Sequence, residues 1–212
     1  IRSSTPACWK SGCRSSRNGW IGRRIGDSPL DVELTLLYDP LSFPPLIRAD
    51  MNTVIRHVTP ADLDRCYTIE TLAYEGDEAA TREKIATRIA TWPEGFIVAE
   101  VDGVVAGFIN SGAAFQVEMS DEAFKELIGH DPAGSHVVIM SVVVHPDFQG
   151  QGVAKRLMAE FIERMRTLNK ASVNLMCKER HIALYAGFGF AYIKPSASDH
   201  GGMAWHEMVL VL

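Results

Sequence analysis

Two places in this sequence combine residue types that could do chemistry. The first is the turn Gln149-Gly150-Gln151-Gly152-Val153-Ala154, with Lys155 behind it. It follows an almost unbroken apolar run, Val137 to Val144, and opens a stretch in which Val153, Leu157, Phe161, Met165 and Leu168 recur every three or four residues. A strand, a glycine-bearing turn and a helix N-terminus make an anion site, because small residues let the backbone come close and the first helical N–H groups lack acceptors. No Gly-Lys-Ser/Thr follows, so this is not a Walker loop, and two glycines do not make a dinucleotide fingerprint. The second place is Glu70. At 100° per residue, Leu63, Cys66, Tyr67, Ala73 and Tyr74 share one helix face and Glu70 falls in its middle. Facing a cavity, it would be desolvated, its pKa raised, and it would be usable as a proton acceptor for an amine. At the edge of the stripe it would only cap something buried.

The elements that must hold these groups are well punctuated. Met51 to Val58 alternates as a strand does, and Thr59-Pro60-Ala61-Asp62 supplies a hydroxyl at the N-cap, proline at the first helical position and a carboxylate at the third. A helix is expected over Pro60 to Tyr74 and another over Glu78 to Trp92, ended by Pro93, with a polar loop between them that carries Glu75. GFIVAEV and VVAGFIN, joined by Asp102-Gly103, predict an antiparallel hairpin. Gln116 to His136 is a long insertion with a short helix expected over Ser120 to Ile128; loops of that length tend to bind. Val137 to Val144 reads as a central strand covered on both faces, and Ser172 to Cys177 as another.

Composition bounds the partners. The chain has 212 residues and a net charge of −5, but residues 1–50 carry seven basic and five acidic residues and five of the ten prolines, which leaves 51–212 at −7. An acidic body argues against nucleic acid as partner. No apolar run approaches the roughly 18–20 residues of a membrane span, so a soluble, cytoplasmic protein, monomer or homodimer, is expected. Cys8, Cys13, Cys66 and Cys177 form no CxxC pair, so no metal is expected; Cys66 and Cys177 read as core thiols in a reducing compartment. Residues 1–28 are rich in Ser and Arg like a transit peptide, yet four glycines break any helical period. Residues 1–50 are therefore expected to be an extension, disordered or non-native, that precedes a domain at 51–212.

Gln149-x-x-Gly152-x-Ala154 after a strand ending in Val-His-Pro resembles the Q/R-x-x-G-x-G/A signature of the GNAT superfamily of N-acetyltransferases, and His181-Ile-Ala-Leu-Tyr185-Ala-Gly-Phe-Gly-Phe190 resembles its LYxxxGF turn. The resemblance covers Val54 to Leu212. It implies an α+β fold: a mixed, mostly antiparallel central sheet with helices on both faces and a splayed strand pair at an acyl-CoA cleft. It also implies acetyl-CoA as cosubstrate and direct transfer of acetyl to a primary amine in a ternary complex. Within the superfamily, Leu175-Met176-Cys177 before LYAGFGF and the Ile69-Glu70-x-x-Ala73 helix look most like bacterial relatives of the arylalkylamine N-acetyltransferases.

Carried over residue by residue, the main chain of Val142, Val143 and Val144 would align pantetheine. Gln149, Gly150, Gln151, Gly152, Val153, Ala154 and Lys155 would hold the pyrophosphate, Asn174 would bond pantetheine, and Tyr185 would be the general acid for the CoA thiolate. The two strand histidines of the vertebrate arylalkylamine enzymes fall here on Val138 and Met140. Glu70 then becomes the leading base, with Glu75 behind it, in a pocket formed with Tyr67 and Tyr74. Lys178 stands where many members have asparagine. The alternatives are acetylation of a protein N-terminus or lysine, and a non-catalytic acyl-CoA-binding module.

Overall fold

Strong turn chemistry decides where this chain reverses. Asp102 and Gly103 both take positive φ, +50° and +83°, which the tight turn between two antiparallel strands requires. The computed structural model describes residues 52–74, 78–198 and 200–212. The expected extension at residues 1–50 and Glu75 lie outside the described residues.

Seven strands, β1 (Thr53–His57), β2 (Phe96–Val101), β3 (Val104–Ala114), β4 (His136–Val144), β5 (Ser172–Cys177), β6 (Ala191–Pro195) and β7 (His206–Val211), form one sheet in the order β1-β2-β3-β4-β5-β7-β6. Every neighbouring pair is antiparallel except β4 with β5. The parallel pair is short: His136–Ile139 lie beside Ser172–Leu175, and past Ile139 β4 runs on to Val144 without β5 as a partner. This parting is the splayed pair expected from the sequence.

Helices cover both faces. α1 (Leu63–Ala73) and α2 (Arg82–Thr91) pack one side, where Cys66, Ile69, Ile85 and Ile89 meet Phe96, Val98, Phe108 and Val143. α3 (Val153–Thr167) packs the other with Leu157, Phe161 and Met165 against Ile97, Ile109, Val137 and Leu175; the short α4 (Ile182–Ala186) follows β5. Cys66 and Cys177 are in these cores, and burial pushes Cys66 up to about 12 and Cys177 up to about 11, which leaves them protonated.

The helix expected over Pro60 to Tyr74 opens as a 3-10 turn, Pro60–Asp62, and is α-helical only over Leu63–Ala73; three further elements also differ from expectation. α2 begins at Arg82 rather than Glu78, because the Thr81 hydroxyl caps it by accepting from the Lys84 N–H. β3 extends to Ala114 instead of Asn110, since β4 pairs along its whole length. The insertion helix is a single 3-10 stretch, Glu122–Glu126, capped by Asp121.

The entry to α1 is a capping box. Asp62 Oδ2 accepts from the Thr59 N–H and hydroxyl, each at 2.8 Å, while both terminal nitrogens of Arg56 clasp the carboxylate at 2.8 and 2.9 Å. The Arg56 hydrogen bonds hold Asp62 down at about 2, below the usual 3.8. A depressed carboxylate contributes stability that is complete above its unfolded pKa and is lost as pH falls through the folded one. Asp62→Asn is thus expected to cost about 1–2 kcal/mol at neutral pH. Its Tm deficit should shrink between about pH 4 and pH 2; a deficit independent of pH would show that the charge is not what stabilises this corner.

Candidate active site

β4 is not a uniform strand. Asn110 of β3 faces Ser141 and Ser111 faces Ile139, so Met140 is an extra residue, a bulge. Before it, Val137 and Ile139 turn toward α3; after it, Val143 turns toward α1 and α2. The phase change places Val138, Met140 and Ser141 together on the wall of one cavity, of about 110 Å³, which Glu70 of α1, Tyr74 just past its end, Arg88 of α2, Val142, Met176, Tyr185 and Trp205 also line.

The bulge turns the Ser141 hydroxyl onto Glu70 Oε1 at 3.0 Å, and the Ala80 N–H donates to the same oxygen at 3.0 Å. Glu70 is 1% exposed, and its Oε2 has no hydrogen-bond partner. Burial pushes its pKa up, opposed by the Ala80 N–H, the Arg88 charge and Ser141. Tyr74 interacts with the main chain of Val142, and burial raises its phenol and that of Tyr185. Tyr185 packs edge-on against Phe190 with centroids 5.8 Å apart, which aims it from α4 at the cavity.

From the bulge, β4 leads straight to the glycine turn. His145 N–H bonds to Ala106 of β3 at 2.8 Å, so by strand alternation Val143 shares that edge while the main-chain groups of Val142 and Val144 point to the side that β5 has left. Gln149 Nε2 donates to the Val144 carbonyl at 3.0 Å, and Gln151 Nε2 to the Asp147 carbonyl at 2.8 Å; both side chains brace the turn. His145 closes it by accepting from the Asp147 N–H. Gly150 and Gly152 have φ of +71° and +82°, and a Cβ at either would meet nothing within 4 Å. The first bond of α3 is Arg156 N–H to the Gly152 carbonyl at 3.1 Å, so Val153, Ala154 and Lys155 offer N–H groups without intrahelical acceptors. The first turn has no acid, and Lys155 and Arg156 are exposed there. Such a cradle fits a phosphate chain. Val153 can give only its N–H, since its side chain is in the core.

The cavity therefore gathers Glu70, Tyr74, Val142 and Tyr185, and β4 joins them to the turn. Other expected residues sit elsewhere. Tyr67 lines a separate depression with Thr71 and Ala79 to Glu83. Asn174 belongs to the paired half of β5, where its amide donates to the Val137 carbonyl at 3.1 Å and the Ser172 hydroxyl at 3.0 Å. The side chains of Val143 and Val144 are in the two cores. Lys178 grips both oxygens of Glu78 at 2.9 and 3.0 Å and lies over the Trp205 ring.

Sequence reasoning missed Arg88, 4% exposed, which donates to Asn110 Oδ1 at 3.2 Å and the Lys125 carbonyl at 2.9 Å. The signal was present: it stands between Ile85 and Ile89 on the buried stripe of α2, as Glu70 does on α1. Other charged groups of the wall have partners. Glu78 pairs with Lys178, Lys84 with Glu126 and Lys125 with Glu122, while Glu118 and Asp121 accept from Ser120 and Ala123 in their own loop. Among the described residues no group of three or more His, Cys, Asp or Glu converges, and no helix is long and apolar enough to cross a membrane.

Residues 62–190 match the sequence model of the Acetyltransferase (GNAT) family. The uncharacterized N-acetyltransferase ycf52 of Gracilaria tenuistipitata var. liui is 34% identical over 88 residues, 40% of this chain and 47% of that protein. The chain spans less than half the length of the curated relatives it matches first. Among solved structures, the loading GNATL domain of CurA from Lyngbya majuscula superposes with a TM-score of 0.65 at 18% identity, covering 74% of this chain and 96% of that one. The putative acetyltransferase yncA from Salmonella typhimurium, with its cofactor acetyl-CoA, gives 0.56 at 23% identity over 76% and 94%.

Proposed function

We propose that this chain, which belongs to the acetyltransferase (GNAT) family, transfers an acetyl group from acetyl-CoA to a small primary amine within residues 51–212. The observation that carries the reading is the path along β4, from a cavity holding a buried carboxylate and a phenol to a helix N-terminus free of acid. The free N–H groups at Val153 to Lys155 suit the pyrophosphate, and the edge of β4 that β5 leaves at Val142 and Val144 suits the amides of pantetheine, by β-like hydrogen bonds that would replace those of Tyr74 and Gln149.

Each group has a task in direct attack. Glu70 Oε2, without a hydrogen bond in a desolvated wall, takes a proton from the acceptor ammonium, which is no nucleophile until it loses one. Burial keeps Tyr185 protonated, so it can donate to the departing thiolate. Met119, Phe124, Met140, Met176 and Trp205 give the cavity an apolar wall suited to an amine with an apolar or arylalkyl body. The insertion supplies the first two, and this closure favours a small acceptor over a protein tail.

A thiol-release assay over a panel of amines, with CoA binding measured in parallel, tests this. Turnover with small amines is expected; CoA binding with no turnover on any amine would mark a non-catalytic binding module, and turnover only on peptides a protein acetyltransferase. Tyr185→Phe is expected to lower kcat by roughly 10² and displace the basic limb of the rate profile while CoA affinity holds. An unchanged kcat would remove Tyr185 from the chemistry.

A further inference from the structure

The cavity holds two buried charges that do not meet. Glu70 and Arg88 come from adjacent helices, and each feels the other's field, yet they form no ion pair. Each keeps an atom without a partner, Oε2 of Glu70 and Nε of Arg88. Arg88 is held in place by Asn110 and the Lys125 carbonyl, and the other charged groups of the wall are already engaged. A buried ion is costly unless it is paired, so this wall is incomplete by one cation and one anion.

Resting on the acetyltransferase reading, we propose that the acceptor is a zwitterion: an α-amino acid with an apolar side chain, its ammonium on Glu70 and its carboxylate on Arg88. Charge counting carries the argument. Glu70 and Arg88 sum to zero. A plain amine docking on Glu70 adds a cation, removes the counter-charge that Arg88 has, and leaves the site at +1. A zwitterion leaves it at zero and supplies each unpartnered atom with a partner of opposite sign. Met140 and Phe124 receive the side chain. Chemically, the amide C–N bond forms as the thioester C–S bond breaks. Of the two protons the ammonium nitrogen loses, one leaves through Glu70 to solvent; the thiolate takes one from Tyr185, which the other proton replaces.

The test uses the full chain saturated with CoA, titrated calorimetrically with phenylalanine, phenylalanine amide and phenethylamine, and with methionine and 3-(methylthio)propylamine. The zwitterions are expected to bind about 10²-fold more tightly than the partners that lack the carboxylate. This comparison needs no variant. In Arg88→Gln, if its melting transition is intact, the preference should fall to within a few-fold. Amines or the amide binding as well as the acids, or none of the probes binding, overturns the proposal. Acetyl transfer is scored separately by thiol release. Acids that bind without being acetylated refute the acetyltransferase reading but not the docking site; amines acetylated in preference to acids refute the docking site but not the reading.

Discussion

Glu70→Gln is expected to lower kcat/KM by about 10²- to 10⁴-fold. The substitution is nearly isosteric, and a glutamine Oε1 can still accept from the Ala80 N–H and the Ser141 hydroxyl, so the junction of α1, β4 and the start of α2 persists. What disappears is the proton-accepting oxygen that has no hydrogen bond. The pH dependence gives the sign. Burial sets Glu70 above the usual carboxylate range, while Arg88, Ser141 and the Ala80 N–H limit the rise. A base must be ionised to act, so the wild-type rate should fall as pH drops through this raised value, at a higher pH than an ordinary glutamate would give. The variant should lose that acidic limb along with the rate. Profiles of kcat/KM from pH 5 to 9 decide: a variant that keeps the limb, or most of the rate, assigns proton removal to another group.

Gly152→Asp should weaken CoA binding by at least about 10²-fold and leave the fold standing. At φ +82° an aspartate is strained by roughly 1 kcal/mol, which short polar side chains tolerate. Its Cβ meets no protein atom, and its carboxylate would suit the helix dipole. The same carboxylate would stand where the phosphates must approach the N–H groups of Val153 to Lys155. Gly103→Asp is the control. That glycine has φ +83° and equally open surroundings, in the turn between β2 and β3, so backbone strain is matched and only the place differs. Equal loss of CoA affinity in both variants, or none in either, would show that the glycine turn does not hold the phosphates.

The sheet and its helices were legible because their signals are local. Thr59-Pro60 and Asp102-Gly103 impose their turns wherever they stand, and the run from Val137 to Val144 is apolar enough to be interior. Glu70 was legible because period alone places it on a buried stripe. Arg88 obeys the same period, but a long side chain on a stripe usually snorkels to water, and its burial depends on Asn110 and the insertion covering it. The Met140 bulge has no sequence mark at all, because it exists only as a mismatch in register between β4 and its neighbour β3. Tyr67 and Asn174 show the converse limit. Each lies on the expected element, and packing from Ala79 to Glu83 in one case and hydrogen bonding within the sheet in the other directs it away from the cavity.

The Met140 bulge also sets what this strand can absorb in the course of descent. Exchanges of one apolar residue for another along β4 alter volume alone, and a core can repack around that. Loss of a single codon at the bulge restores unbroken alternation, and one of the two halves must then invert. Either Ser141 leaves Glu70 and Val143 leaves its core, or Val137 and Ile139 abandon α3. A chain that keeps this cavity is therefore tolerant of apolar exchanges along β4, Ser141 apart, and bound in the strand's length: an insertion or deletion there is expected to cost the site where such exchanges do not.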